Sequence, residues 1–145
     1  MTKLVRALPR NIPAALFVVF HIPAYNPSLL PEILSRAGTL PALHPAGNAA
    51  IAAGQIYVVI PDHHLMIERE YMRVVRGPKE NRHRPAIDPL FRSAARAYRL
   101  CVAGVILSGG LDDGTAGLLA IKRCDGVSVV QSPQEVFICR CHKVC

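Results

Sequence analysis

The sequence predicts an α/β fold, a parallel sheet flanked by helices on both faces, and three observations carry that prediction. Apolar runs at 14–20, 55–61, 101–107 and 127–131 are of strand length and nearly continuous rather than alternating, as in strands buried on both faces. Helical patterns follow most of these runs, so strand and helix alternate along the chain. The length of 145 residues suits one domain, and 51% hydrophobic against 19% charged residues is the balance of a packed core rather than of a disordered chain.

The first strand, "AALFVVF", ends at His21. After a loop, "SLLPEILSRAG" places Leu29, Leu30, Ile33 and Leu34 on one helical face, with Asn26 or Ser28 as cap and Gly38 as stop. "QIYVVIP" is the second strand, and "HLMIEREYMRVVRG" reads as a surface β-hairpin around a polar "ERE" connection. In "NRHRPAIDPLFRSAARAY", Asp88 reads as N-cap and Pro89 as the first helical residue, with Leu90, Ala94, Ala97 and Tyr98 forming an inward stripe. "CVAGVIL" is the third strand, "TAGLLAIKRCDG" a helix, and "VSVVQ" the fourth strand. "SPQEVF" carries a capping box, Ser132 with Glu135 around Pro133, before a cysteine-rich end. The arrangement is a Rossmann-like three-layer sandwich, in which working residues gather outside the carboxyl ends of the strands.

Charge and cysteines narrow the classes. Net charge is +7, and residues 68–99 hold nine Lys or Arg against four acids, a field suited to an anionic partner. Aromatic stacking residues are sparse there and no nucleic-acid motif occurs, so an acidic protein surface fits better than nucleic acid. Apolar runs fall far short of the roughly 20 residues that span a bilayer, and no signal-peptide pattern is present, which leads to the expectation of a cytoplasmic protein with no membrane insertion. Five cysteines do not suggest a disulfide framework: Cys101 and Cys124 read as packed thiols, and the other three crowd into "CRCHKVC". That tail, with His142, lacks the paired spacing of zinc sites, so no metal is expected.

The turn "LSGGLDDGTAGL" sets two aspartates where the third strand hands over to a helix. Its glycines at 109, 110 and 114 match neither the dinucleotide fingerprint nor the P-loop, and the two carboxylates would repel phosphate. Two carboxylates suit magnesium, but no third is placed to join them. One of Asp112 and Asp113 can cap the helix. The other is then free to face His21, also at a strand end, as the orienting half of a nucleophile, histidine and acid arrangement.

Taken in order, "FVVFHIP", "SLLPEILSRAG", "GQIYVVIPDHHLMI", "RGPKENRHRPAIDPLFRSAARAY", "VILSGGLDDGTAGLLAIK" and "VSVVQSPQEVF" closely resemble the catalytic domain of CheB-type chemotaxis protein-glutamate methylesterases. The resemblance runs from about Leu4 to Phe137. It implies an α/β fold and, without cofactor, hydrolysis of receptor glutamate methyl esters by a serine, histidine and aspartate triad; some members also deamidate receptor glutamines. Carried over by motif, the histidine is His21 and the aspartate is Asp113, which leaves Asp112 as the helix cap. Gly110 matches a turn position whose main-chain N–H helps hold the oxyanion. The implied partners are the cytoplasmic helices of methyl-accepting chemoreceptors.

The sequence also departs from the family pattern. The family serine stands in a "GASxGG" type turn, no such turn occurs in this sequence, and "MTKLVRALPRN" resembles the helix just beyond it. Ser28, Ser35, Ser93, Ser108, Ser128 and Ser132 fall in other motifs. The expectation is therefore an incomplete domain over 1–137, truncated at both ends, followed by an unrelated tail over 138–145, with little catalysis of its own. A non-enzymatic receptor-binding or regulatory fragment, using the basic face, is the alternative.

Overall fold

The computed structural model describes residues 1–23, 27–107 and 112–131 of the chain. The expected parallel strands are present, but among the described residues they pair as two separate sheets rather than one. Strand β1 (Leu16–Val18) lies parallel to β4 (Ile56–Val58), which also pairs in parallel with the short β2 (Ala42–Leu43). Farther along the chain β7 (Ala103–Ile106) and β8 (Val127–Val130) form a parallel pair. A third sheet is antiparallel: β5 (His64–Ile67) and β6 (Tyr71–Val75) make the hairpin read from the sequence, and β3 (Asn48–Ala50) extends it on the far side of β6.

Alternation within β1 and β4 feeds two cores. Ile56 and Val58 point to one face, where they pack with Leu16 and Val18 against Val5 of helix α1 (Thr2–Ala7), against Leu34 of α2 (Leu30–Ala37), and against Leu40. Tyr57 and Val59 point to the other, against Leu65, Ile67, Met72 and Leu90. Phe17 and Tyr57 sit directly opposite in register and stack, with ring centroids 5.4 Å apart. Period-two alternation thus places helices on one face of this sheet and the hairpin with helix α3 (Ile87–Tyr98) on the other. The α3 stripe is as expected: Leu90 is buried in that core, and Ala94, Ala97 and Tyr98 pack against it.

The caps differ from the local reading. Among the described residues, helix α2 has no side-chain cap and the buried Ser28 hydroxyl has no hydrogen-bond partner; Asn26 lies outside them. Helix α3 begins after Ala86, so Asp88 is inside its first turn rather than its N-cap. Cys101 is exposed rather than packed. The Ser132 to Glu135 capping box and the 138–145 tail fall outside the described residues. No helix among the described residues is long and apolar enough to cross a membrane.

Helix α4 (Thr115–Arg123) packs on α3 with their N-termini adjacent, an approach that two glycines permit. A Cβ on Gly117 would lie 2.5 Å from the Phe91 Cβ and 3.1 Å from an Asp88 carboxylate oxygen. Gly114, the residue before α4, holds φ of 99°, a conformation that side chains beyond glycine rarely take.

Candidate active site

His21 lies just beyond the carboxyl end of β1, and Asp113 precedes α4 in the connection that follows β7. Separated by 92 residues, they meet: His21 Nε2 is 3.0 Å from Asp113 Oδ2. The Asp113 side chain is 2% exposed and that of His21 33%, so the acid is enclosed and the base opens to solvent. An ionised carboxylate only accepts, so Nε2 carries the hydrogen and donates it, leaving the lone pair on Nδ1.

Asp113 is held from the other side by α3. Its Oδ2 accepts the Ile87 N–H at 2.8 Å, and its Oδ1 accepts the Asp88 N–H at 3.2 Å and the Asn81 side-chain amide at 3.3 Å. These main-chain donors are the unsatisfied N–H groups of the first turn of α3, at the positive end of the helix dipole. Burial works against ionisation of Asp113. The hydrogen bond from His21, then those from Ile87, Asp88 and Asn81, outweigh it and set the pKa below the ordinary aspartate value.

Asp88 does the reciprocal service. Its Oδ1 accepts the Gly114 N–H at 3.1 Å and the Gly117 N–H at 2.6 Å, so it caps α4 from within α3. Its Oδ2 accepts the Asn81 amide at 2.8 Å. Each helix therefore finds its capping carboxylate on the neighbouring chain segment, and Asn81 bridges the two acids. Asp112, expected as the cap of α4, is instead exposed and contributes its main-chain carbonyl to the Thr115 N–H. Local spacing cannot reveal this exchange, because it links residues more than twenty positions apart.

The segment that carries Asn81 is anchored throughout. Arg84 donates to Asp62 at 2.6 Å and to the Gly77 carbonyl at 2.7 Å, and Arg76 pairs with Asp62 at 2.9 Å. Buried His64 donates from Nε2 to the Pro78 carbonyl at 2.8 Å and accepts the Ala86 N–H at Nδ1. It is a satisfied core histidine. Next to Asn81, His83 stacks on His21 with ring centroids 3.8 Å apart and planes 2° from parallel. Burial, followed by the charge of His21, lowers the His83 pKa.

Asn81 and His83 stand in no site motif of the sequence, and Asp88 takes a role other than the N-cap its position before proline suggests. The one local signal was an asparagine able to adopt a left-handed turn in "KENRH". Gly110, the expected oxyanion donor, and Ser108 lie outside the described residues. Among the described residues, His21 hydrogen-bonds no serine, and no three His, Cys, Asp or Glu side chains are grouped to hold a metal ion.

The family model described as CheB methylesterase matches residues 1–141. The chain is 33% identical over 142 residues to a protein-glutamate methylesterase/protein-glutamine glutaminase 1 of Xanthomonas oryzae, covering 95% of this chain and 40% of that protein. It is 33% identical over 134 residues to a putative protein-glutamate methylesterase/protein-glutamine glutaminase of Leptospira interrogans, covering 92% of this chain and 69% of that one. The chain thus spans about two fifths of the length of the Xanthomonas relative. The fold is similar to the crystal structure of the Thermotoga maritima CheB methylesterase catalytic domain, with a TM-score of 0.82 and 25% identity over 94% of this chain and 76% of that one.

Proposed function

We propose, from the premise that the chain belongs to the CheB methylesterase family, that it carries the histidine and acid half of a protein-glutamate methylesterase site. The observation that supports this most is the 3.0 Å contact of His21 Nε2 with the buried Asp113 carboxylate, beyond the carboxyl ends of β1 and β7. In this reading His21 Nδ1 takes the proton of a serine hydroxyl as its oxygen attacks the ester carbonyl carbon. Asp113 holds the tautomer and stabilises the imidazolium. The main-chain N–H of Gly110, by motif, receives the oxyanion. Collapse breaks the bond to methoxide, which takes the proton from Nδ1 and leaves as methanol. Water, deprotonated by the same nitrogen, then releases the receptor glutamate and restores the serine. An ammonia leaving group would give the glutaminase reaction by the same route.

The nucleophile is the part that this chain lacks, since none of its serines stands in a "GASxGG" turn. Loss of the nucleophile in a serine hydrolase reduces turnover on the order of a millionfold. Methanol release from methylated receptor by the 145-residue chain is therefore expected at background, and unchanged in His21→Gln. Release within tenfold of an intact catalytic domain would sink this reading.

The basic face favours a second reading, a receptor-binding module. Among the described residues Arg73, Arg76, Arg84 and Arg92 are ion-paired within the chain, whereas Lys79, Arg82 and Arg96 are exposed with no ion pair. Lys79 and Arg82 flank the segment beside His21, where acidic receptor helices would present their glutamates. Binding to receptor that weakens with salt and is lost in Arg82→Glu with Arg96→Glu supports this reading. No binding at low salt contradicts it.

A further inference from the structure

The turn Glu80–His83 touches both members of the His21–Asp113 pair, and neither contact serves the packing of a core. It is closed like a hairpin turn: Glu80 N–H donates to the His83 carbonyl at 3.1 Å, and His83 N–H donates to the Glu80 carbonyl at 2.8 Å. Its two central residues, Asn81 and Arg82, hold φ of 48° and 69°. Positive φ at both central positions is the signature of a type I′ turn. Asparagine tolerates that conformation and arginine does not, so the turn keeps strain at Arg82.

We propose that this turn is the positioning element of the pair, Asn81 fixing the acid and His83 fixing the base. The inference rests on the reading of His21 and Asp113 as the working half of an esterase site. Asn81 shares one amide nitrogen between Asp88 at 2.8 Å and Asp113 at 3.3 Å, so the two capping carboxylates cannot rotate independently. The Asp113 Oδ2 lone pairs are thereby left directed at His21 and at the Ile87 N–H. His83 lies flat against His21 and limits the imidazole to rotation within its own plane.

The chemistry of His83 suits that place. Its lowered pKa keeps the ring neutral at neutral pH, and a neutral aromatic face accepts an imidazolium beside it, whereas a second cation would oppose one. The turn is itself fastened from outside the site. Glu80 pairs with Arg92 of α3 at 2.7 Å, and Arg84, one residue beyond the turn, is held by Asp62. Positioning of the pair thus comes from a surface turn pinned to α3 and to the loop before β5.

The test reads the hydrogen bond itself, in the full chain, as the downfield proton resonance of the His21 Nε2–H and its exchange with water. Wild type shows this resonance. Asn81→Ala and His83→Ala lose it to exchange broadening while circular dichroism stays that of the folded chain. His83→Phe, a neutral ring that can stack, restores it. Retention of the wild-type resonance in either alanine variant overturns the proposal, as does its loss in His83→Phe. Should Asn81→Ala fail to fold, the two His83 variants decide alone. Because the readout is geometric, failure of the esterase reading leaves these outcomes unaffected and is detected separately by ester hydrolysis.

Discussion

Replacing Asp88 by alanine tests the crossed caps, and the size of the effect follows from three contacts. The carboxylate, 3% exposed, accepts the Gly114 N–H, the Gly117 N–H and the Asn81 amide. Asn81 retains Asp113 and is exposed enough to take water, so its loss is small. The two main-chain donors at the buried start of α4 have no such recourse. A buried donor left unpaired costs about 1–3 kcal/mol, and the lost charge at a helix N-terminus about 0.3–1 kcal/mol more. For the two donors and the charge together the loss is about 2–7 kcal/mol. With a urea slope of about 2 kcal/mol per M, the unfolding midpoint followed by circular dichroism falls by about 1–3.5 M. Asp88→Asn keeps an acceptor for the two glycine N–H groups but sets an amide donor against the Asn81 amide. It should lose about 1–2 kcal/mol, on the scale of one net hydrogen bond. Asp112→Ala is the control, expected within about 0.5 kcal/mol of wild type because the side chain is exposed. A loss below about 1 kcal/mol in Asp88→Ala, or an equal loss in Asp112→Ala, refutes the crossed-cap reasoning.

Three further outcomes follow from the same geometry. The folded-state pKa of Asp113 lies below its unfolded value of about 3.9, so its contribution is full above that pH and lost as pH falls through the lower folded value. The stability gap between wild type and Asp113→Asn, measured by urea unfolding, should shrink as pH falls below about 4; a gap that widens below that pH is incompatible with a depressed pKa. Gly117→Ala drives a methyl into Phe91 and Asp88, and should cost about 1–3 kcal/mol by overpacking; no loss would mean that α3 and α4 can part freely. Arg82→Gly relieves a left-handed residue and should raise stability by about 0.5–1 kcal/mol, net of the extra freedom of the unfolded chain; a fall in melting temperature argues against strain at that turn.

Long apolar runs announced β1, β4, β7 and β8 by composition, but only β4 is buried on both faces; β7 and β8 leave Val105, Val127 and Val129 exposed, so two-faced burial, expected of all four, does not hold for them. The short β2 and β3 escaped notice, since "AL" and the alanine-rich "NAA" carry no β-branched signal and are ordered by the strands beside them. His21 and Asp113 were legible as strand-end residues, and the family motifs joined them. The local rules went astray at Asp88 and Asp112: an acid before proline and an acid opening an Asp-Asp-Gly turn both read as N-caps, whereas the actual caps cross between helices. That exchange depends on the angle at which α3 meets α4, which no sequence window contains. Asn81 and His83 were invisible for a related reason, as their roles arise only when a turn is folded over a pair drawn from two distant strands.

The most direct test of the central claim, that His21 and Asp113 are the working half of an esterase site, is to supply the missing half. A segment carrying the family's "GASxGG" turn would be joined to this chain, and methanol release from methylated receptor measured with and without His21→Gln. Release by the joined protein is expected, with a fall on the order of a millionfold in the variant, the scale set by loss of a triad histidine. Release that is unaffected by His21→Gln, or a folded joined protein that releases no methanol, would contradict it.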